Sequence, residues 1–187
     1  MTQTLWTTAE IITATGGMSS GDWSASSVSI DTRTMQPGTL FVALPGAKVD
    51  GHAHVANALS NGAAGALVNR PIAGVDASLL VIVKDVEKAL QQLGAAGRAR
   101  STAQVIGVTG SVGKTGAKEM IAAALGAVGS VYATRGNLNN HLGVPLSLAN
   151  MPRDAKFAVI EMGMNHAGEI SPLSKMARPH VSLITTV

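Results

Sequence analysis

The stretch Gln104-Val105-Ile106-Gly107-Val108-Thr109-Gly110-Ser111-Val112-Gly113-Lys114-Thr115 decides the fold of this chain. Its apolar start reads as a strand, its glycines as a tight turn, and residues 117–125 beyond it as a helix. Such a turn presents several backbone N–H groups at the positive end of a helix, where phosphate binds. Lys114 adds a full positive charge, and Thr115 a hydroxyl suited to magnesium. The pattern points to a nucleoside triphosphate, with Gly110, Ser111, Val112, Gly113, Lys114 and Thr115 around the phosphates. The spacing departs from G-x-x-x-x-G-K-[ST], because Val108 stands where the first glycine belongs and glycines fall at 107 and 110. The loop is a shorter variant, Thr109-Gly110-x-x-Gly113-Lys114-Thr115. The plain alternative is a glycine-rich strand-to-helix turn that happens to end in Lys-Thr.

Composition narrows the class. The chain has 187 residues, enough for one large domain or two small ones. Hydrophobic residues make up 46% and charged residues 13%, which suits a well-buried α/β core. Aromatics at 3% argue against a stacking platform for single-stranded nucleic acid. The net charge of +3 is mild, and Lys and Arg are scattered, so a basic phosphate pocket is favoured over a nucleic-acid surface. With no cysteine there is no disulfide framework, thiolate zinc site or cysteine nucleophile, and a reducing cytoplasm fits. Residues 1–10 show no signal peptide, and no uninterrupted apolar run reaches about 18 residues, so no membrane span is expected.

The first part reads as a small α/β unit. A capped helix over residues 7–12 ends at Gly16-Gly17, strands follow at 28–30 and 40–44, and a short helix at 52–61 stops at Asn61-Gly62. Strands at 65–68 and 79–83 precede a helix at 85–100. Ser101-Thr102-Ala103 is the expected joint, after which the pattern restarts with the P-loop unit. A strand at 130–134, a short helix over 141–149 interrupted near Pro145, a buried strand at 157–160 and a helix at 169–177 come next. The last run, 181–187, reads as a buried strand with no helix after it to cover it. A nucleotide-binding parallel sheet normally has more βα units than this. The expectation is the N-terminal part of a longer enzyme, against a small domain whose last strand lies at a sheet edge.

Four other segments carry polar chemistry. Asp31-Thr32-Arg33 ends a strand; Arg33 can clamp a diphosphate and Thr32 can bond it, or Asp31 and Arg33 simply close a turn. Asp50-Gly51-His52 opens the next helix, with Asp50 as an ordinary cap in the bland reading. Asn137, Asn139 and Asn140 cluster at a strand end and can orient a substrate or bind through water, unless Asn140 is just a helix cap. Glu161, at the carboxyl end of a strand downstream of the P-loop, is placed to hold magnesium directly or through water. Asn165 and His166 can face the same cleft, while Gly168-Glu169-Ile170 can serve as a helix start.

Together these segments resemble the Mur ligase family, the ATP-dependent amide-bond-forming enzymes of peptidoglycan precursor synthesis. The carriers are the short P-loop at 109–115, Asp31-Thr32-Arg33, the run 38–44, and Asp50-Gly51-His52. Two further segments, 134–145 and 161–170, resemble the branch that joins D-alanyl-D-alanine to a UDP-N-acetylmuramoyl-tripeptide through an acyl phosphate. The resemblance implies a UDP-muramoyl-peptide-binding domain over 1–101 and the truncated start of a P-loop ATPase domain over 102–187. It implies ATP and Mg2+, with Lys114 and Glu161 catalytic and Thr115 and Glu161 on the metal. Asn137 and Asn140 would serve on the nucleotide side and Asn139 on the substrate side, while Asp31, Thr32, Arg33, Asp50, Gly51 and His52 would hold the UDP part. A cytoplasmic enzyme, monomeric at full length, is implied, with no nucleic-acid partner. The family's C-terminal domain, later histidine and modified lysine are missing, so the isolated chain would be inactive. Two alternatives stand beside this: a non-catalytic fragment that only binds, and a folate polyglutamate ligase, which shares the short P-loop but not the Asp31 and Asp50 segments.

Overall fold

Short apolar runs alternating with helical segments fold into two parallel four-stranded sheets. The structure, a computed structural model, describes residues 3–46 and 50–186. The chain divides into two units, Met1–Leu93 and Gly94–Val187, and the division falls inside a helix, ahead of the joint expected at 101–103.

In the first unit, β1 (Trp6–Thr7) leads into α1 (Thr8–Thr15). A capping box fixes that start: Thr7 Oγ1 accepts the Glu10 N–H, and the Glu10 carboxylate accepts the Thr7 N–H at 2.9 Å. Gly16 ends the helix at φ 66°, a conformation glycine adopts without strain. β2 (Ser24–Ala25) pairs antiparallel with β1. The main sheet then builds from β3 (Ser27–Ser29), β4 (Thr39–Val42), β5 (Gly65–Val68) and β6 (Leu80–Ile82), in that spatial order. Every residue of β4 and β5 is buried, as expected of parallel strands covered on both faces. Between them the helix expected at 52–61 is split into a 3-10 turn, Gly51–His54, and α2 (Val55–Ser60). The cause is local: the Asp50 carboxylate takes the His52 N–H and tightens the first turn. Val55 and Ala58 of α2 pack with Phe41, Val68 and Leu80. The unit passes into α3 (Val86–Arg100).

The second unit contains β7 (Gln104–Thr109), α4 (Lys114–Gly126), β8 (Val131–Ala133), α5 (Gly143–Ala149), β9 (Phe157–Glu161), α6 (Ile170–Ala177) and β10 (Val181–Ile184). Its strands lie in the order β10-β7-β9-β8, all parallel. Val105, Ala158 and Ile160 share a core with Val144 and Leu148 of α5 and Leu173 and Ala177 of α6. The register matters for chemistry: Val108 lies opposite Glu161, so the P-loop and Glu161 leave adjacent strands at the same end.

Two expectations need correction. α5 is not interrupted at Pro145, because Pro145 sits in its first turn, where no N–H is required. β10 is not buried: it lies at the sheet edge, with Val181 62%, Leu183 39% and Ile184 60% exposed. An apolar run reports what its side chains prefer, not what covers them. Val187, the end of that run, lies outside the described residues. Among the described residues no helix is long and apolar enough to cross a membrane.

Candidate functional site

The turn after β7 has the backbone of an anion cradle. Gly110 has φ 134° and Gly113 φ 81°, both in the region that favours glycine. A Cβ on Gly110 would also lie 2.2 Å from Thr185 Oγ1. Gly113 is the N-cap of α4 and, among the described residues, no side chain caps that helix, so its first N–H groups are left for a ligand. The Lys114 ammonium folds back over the turn, donating to Gly110 O at 2.7 Å and Ser111 O at 3.2 Å. The loop is strapped to the chain after β10. Ser111 N–H donates to Thr186 O at 3.0 Å, and Thr185 Oγ1 donates to Val112 O at 2.5 Å.

Glu161 is the hub of the site. Only 1% of it is exposed, and both carboxylate oxygens are engaged. Thr115 Oγ1 donates to Oε2 at 3.0 Å, Asn139 Nδ2 donates to Oε1 at 2.8 Å, and the Lys118 ammonium stands 3.8 Å from Oε2. The Glu161 N–H donates to Thr134 Oγ1 at 3.1 Å, fixing the strand end from which the carboxylate projects. A buried carboxylate is tolerated only with such partners. A hydroxyl and a carboxylate at hydrogen-bond distance, beside a phosphate cradle, form a hard oxygen donor set suited to magnesium.

Lys118 is the residue the sequence reading missed. It is 1% exposed and donates to Thr134 O at 2.7 Å while pairing with Glu119 at 3.1 Å. The available signal was its place one helical turn after Lys114, which sets both on one face of α4.

The other expected residues fall as follows. Asn140 stands just ahead of α5, its Oδ1 accepting the Leu142 and Gly143 N–H groups at 3.1 and 2.8 Å. Asn137 is exposed beside it, in the loop before α5. Asn165 and His166 give their N–H groups to Glu169 in a self-contained turn, which holds the Glu169 carboxyl below its ordinary range, and the His166 side chain is exposed. In the first unit, Asp31 accepts the Arg33 backbone N–H and guanidinium, at 2.9 and 2.7 Å; the guanidinium hydrogen bonds first, then that N–H, pull the Asp31 carboxyl down to about 2. Thr32 lies in the same turn. Asp50 accepts the His52 N–H at 3.0 Å, Arg70 at 2.5 Å and the His52 ring Nδ1 at 2.6 Å, in that order of effect, and is held well below the carboxylate range. His52 Nε2 accepts the Asn69 N–H at 3.1 Å, so both ring nitrogens of this buried histidine are taken by the protein itself. Gly51 has no room for a Cβ because Leu44 O would lie 2.6 Å away. The structure thus joins Gly110–Thr115, Asn139 and Glu161 into one site in the second unit, and leaves Asp31–Arg33 and Asp50–His52 as two local clusters in the first.

Residues 24–138 match the catalytic domain of the Mur ligase family, and residues 108–187 match the Mur ligase middle domain. The chain is 42% identical over 90% of its length to the UDP-N-acetylmuramoyl-tripeptide--D-alanyl-D-alanine ligase of Synechocystis sp., spanning 37% of that protein. It is similar to the crystal structure of MurF from Acinetobacter baumannii at 39% identity and TM-score 0.81, covering 96% of this chain and 40% of that one. It is also similar to the MurF ligase of Thermotoga maritima in complex with ADP, at 32% identity and TM-score 0.71, covering 86% of this chain and 37% of that one. The chain spans about two fifths of the length of these relatives.

Proposed function

Because this chain belongs to the Mur ligase family, we propose that it is part of an ATP-dependent ligase that joins D-alanyl-D-alanine to UDP-N-acetylmuramoyl-tripeptide, in the cytoplasm, in peptidoglycan precursor synthesis. The observation that carries this reading is the Thr115–Glu161 pair, 3.0 Å apart, beside the Lys114 cradle. In the proposed reaction the terminal carboxylate of the tripeptide attacks the γ-phosphorus, ADP leaves, and an acyl phosphate forms. The amine of D-alanyl-D-alanine then attacks the acyl carbon, phosphate leaves with its bonding pair, and the amine proton is lost.

The N–H groups from Gly110 to Thr115 would cradle the phosphates, and Lys114 would move from its loop carbonyls onto the β- and γ-phosphate oxygens. Thr115 and Glu161 would hold Mg2+, exchanging their mutual hydrogen bond for the ion. Magnesium supplies neutralisation of the charge that builds on the transferred phosphate. Asn137 and Asn140 remain proposed for the nucleotide side. Residues 1–101 would bind the UDP-substrate through Asp31, Thr32 and Arg33, with Asp50, Gly51 and His52 shaping the second contact, and residues 102–187 would begin the ATPase domain. The exposed Arg33 guanidinium is free to lend its outward N–H groups, whereas His52 would act by holding the Asp50 loop. Monomeric state at full length remains part of the proposal.

A protein of the relatives' full length that carries this chain should release phosphate only with both substrates present. Lys114→Ala should abolish that release, and turnover surviving in Lys114→Ala would refute the assignment. A second reading, favoured by the two-fifths span, is that the 187-residue chain alone binds without turning over. Calorimetric binding of the UDP-substrate without phosphate release would support it. Phosphate release by the isolated chain would exclude it.

A further inference from the structure

Thr115 takes one oxygen of the Glu161 carboxylate and Asn139 takes the other. A carboxylate only accepts hydrogen bonds, so the Asn139 carboxamide must turn its nitrogen to Oε1, at 2.8 Å. Two further observations hold Asn139 in this pose. Its backbone carbonyl accepts the Gly163 N–H at 2.7 Å. A Cβ on Gly163 would lie 2.9 Å from the carboxamide carbon and oxygen of Asn139 and 3.1 Å from its nitrogen. The space that the carboxamide fills therefore exists because residue 163 is glycine. Gly163 is not among the residues of positive φ, so its backbone suits alanine, and a methyl there would press on the free end of Asn139 rather than on the main chain.

We propose that Asn139 is a positioning residue for the metal-binding carboxylate, and that Gly163 is the clearance that admits it. By occupying Oε1, Asn139 leaves Oε2 to face a cation together with Thr115. Asn139 thus acts through Glu161 and not on the substrate. The inference rests on the reading above that Thr115 and Glu161 hold Mg2+ beside the nucleotide. Partners that hydrogen-bond a ligating carboxylate change metal affinity about 10–100-fold when removed.

The test is calorimetric titration of the 187-residue chain with ADP, with and without Mg2+; the quantity read is the ratio of the two affinities. Asn139→Ala should lower that ratio about tenfold or more while leaving the metal-free ADP affinity within about twofold. Gly163→Ala, whose methyl would meet the Asn139 carboxamide first, should lower the ratio as well. On the Asn139→Ala background it should add nothing, because nothing remains for the new methyl to displace. A merely structural Asn139 would lower the melting temperature and leave the ratio intact, and that result overturns the inference. So does an effect of Gly163→Ala that adds fully to that of Asn139→Ala. Glu161→Gln separates the two levels. A ratio lost in Glu161→Gln but kept in Asn139→Ala overturns the inference alone. A ratio of one in the unaltered chain, or one unmoved by Glu161→Gln, overturns the metal reading and the inference with it.

Discussion

Lys114 and Glu161 bring opposite charges to the same end of one sheet, and neighbours hold each of them differently. Lys114 rests on two loop carbonyls that a phosphate can replace, whereas Glu161 is buried and fully bonded. Lys114→Ala should therefore leave the melting temperature nearly unchanged but weaken ADP binding by roughly 10–100-fold, the worth of charge-assisted hydrogen bonds. Paired calorimetry and thermal melts check both halves of that statement. Arg33 is the contrasting case. Its pair with Asp31 is at the surface, so Arg33→Ala should leave the melting temperature nearly unchanged. Its affinity for UDP-N-acetylmuramoyl-tripeptide should fall about tenfold if the guanidinium binds the diphosphate. An unchanged affinity removes Arg33 from the substrate site.

At the scale of elements, the sequence was most legible where chemistry and backbone agree. The P-loop announces itself because glycine, lysine and threonine are each needed in place, and the cap at Thr7–Glu10 because a capping box has a fixed spacing. Glu161 could be placed at a strand end for the same reason. What stayed hidden depended on pairing across the sheet. The sequence places Asn139 on the substrate side, and nothing local reveals that its carboxamide, in the loop after β8, meets Glu161 at the end of β9. Lys118 looked like any helix lysine until its burial was known. The exposure of β10 was hidden likewise, because edge position is a property of strand order. Glycines give a matched test of helix packing. A Cβ on Gly97 of α3 would lie 2.3 Å from Leu148 O, so Gly97→Ala should destabilise by roughly 1–3 kcal/mol. Gly116, inside α4, meets nothing within 4 Å, so Gly116→Ala should stabilise by about 0.5–1 kcal/mol. Denaturant titration of the two variants should move the midpoint in opposite directions.

At the scale of the whole molecule, acid stability follows from the carboxyls held low in the folded chain, Asp31 and Asp50 the most strongly shifted beside Asp76 and Glu169. Asp31 is held at about 2 by Arg33, and Asp50 is held below the carboxylate range by the His52 N–H, Arg70 and the His52 ring. A carboxyl depressed in the folded state stabilises it above the unfolded value, about pH 3.9, and that contribution is lost as the pH falls through the folded value. The melting temperature should therefore drop below about pH 4, and Asp50→Asn should flatten part of that drop. A profile identical in Asp50→Asn and the unaltered chain would remove Asp50 from the explanation. The relatives are longer than this chain, and the proposed activity is tested most directly by its product. Mass spectrometry should follow a protein of the relatives' length carrying these residues, incubated with ATP, Mg2+, UDP-N-acetylmuramoyl-tripeptide and D-alanyl-D-alanine. The expected result is the UDP-muramoyl-pentapeptide, formed one-for-one with ADP and phosphate and absent in Lys114→Ala and Glu161→Gln. ATP hydrolysis without that pentapeptide, or a pentapeptide formed equally well by either variant, would contradict the proposal.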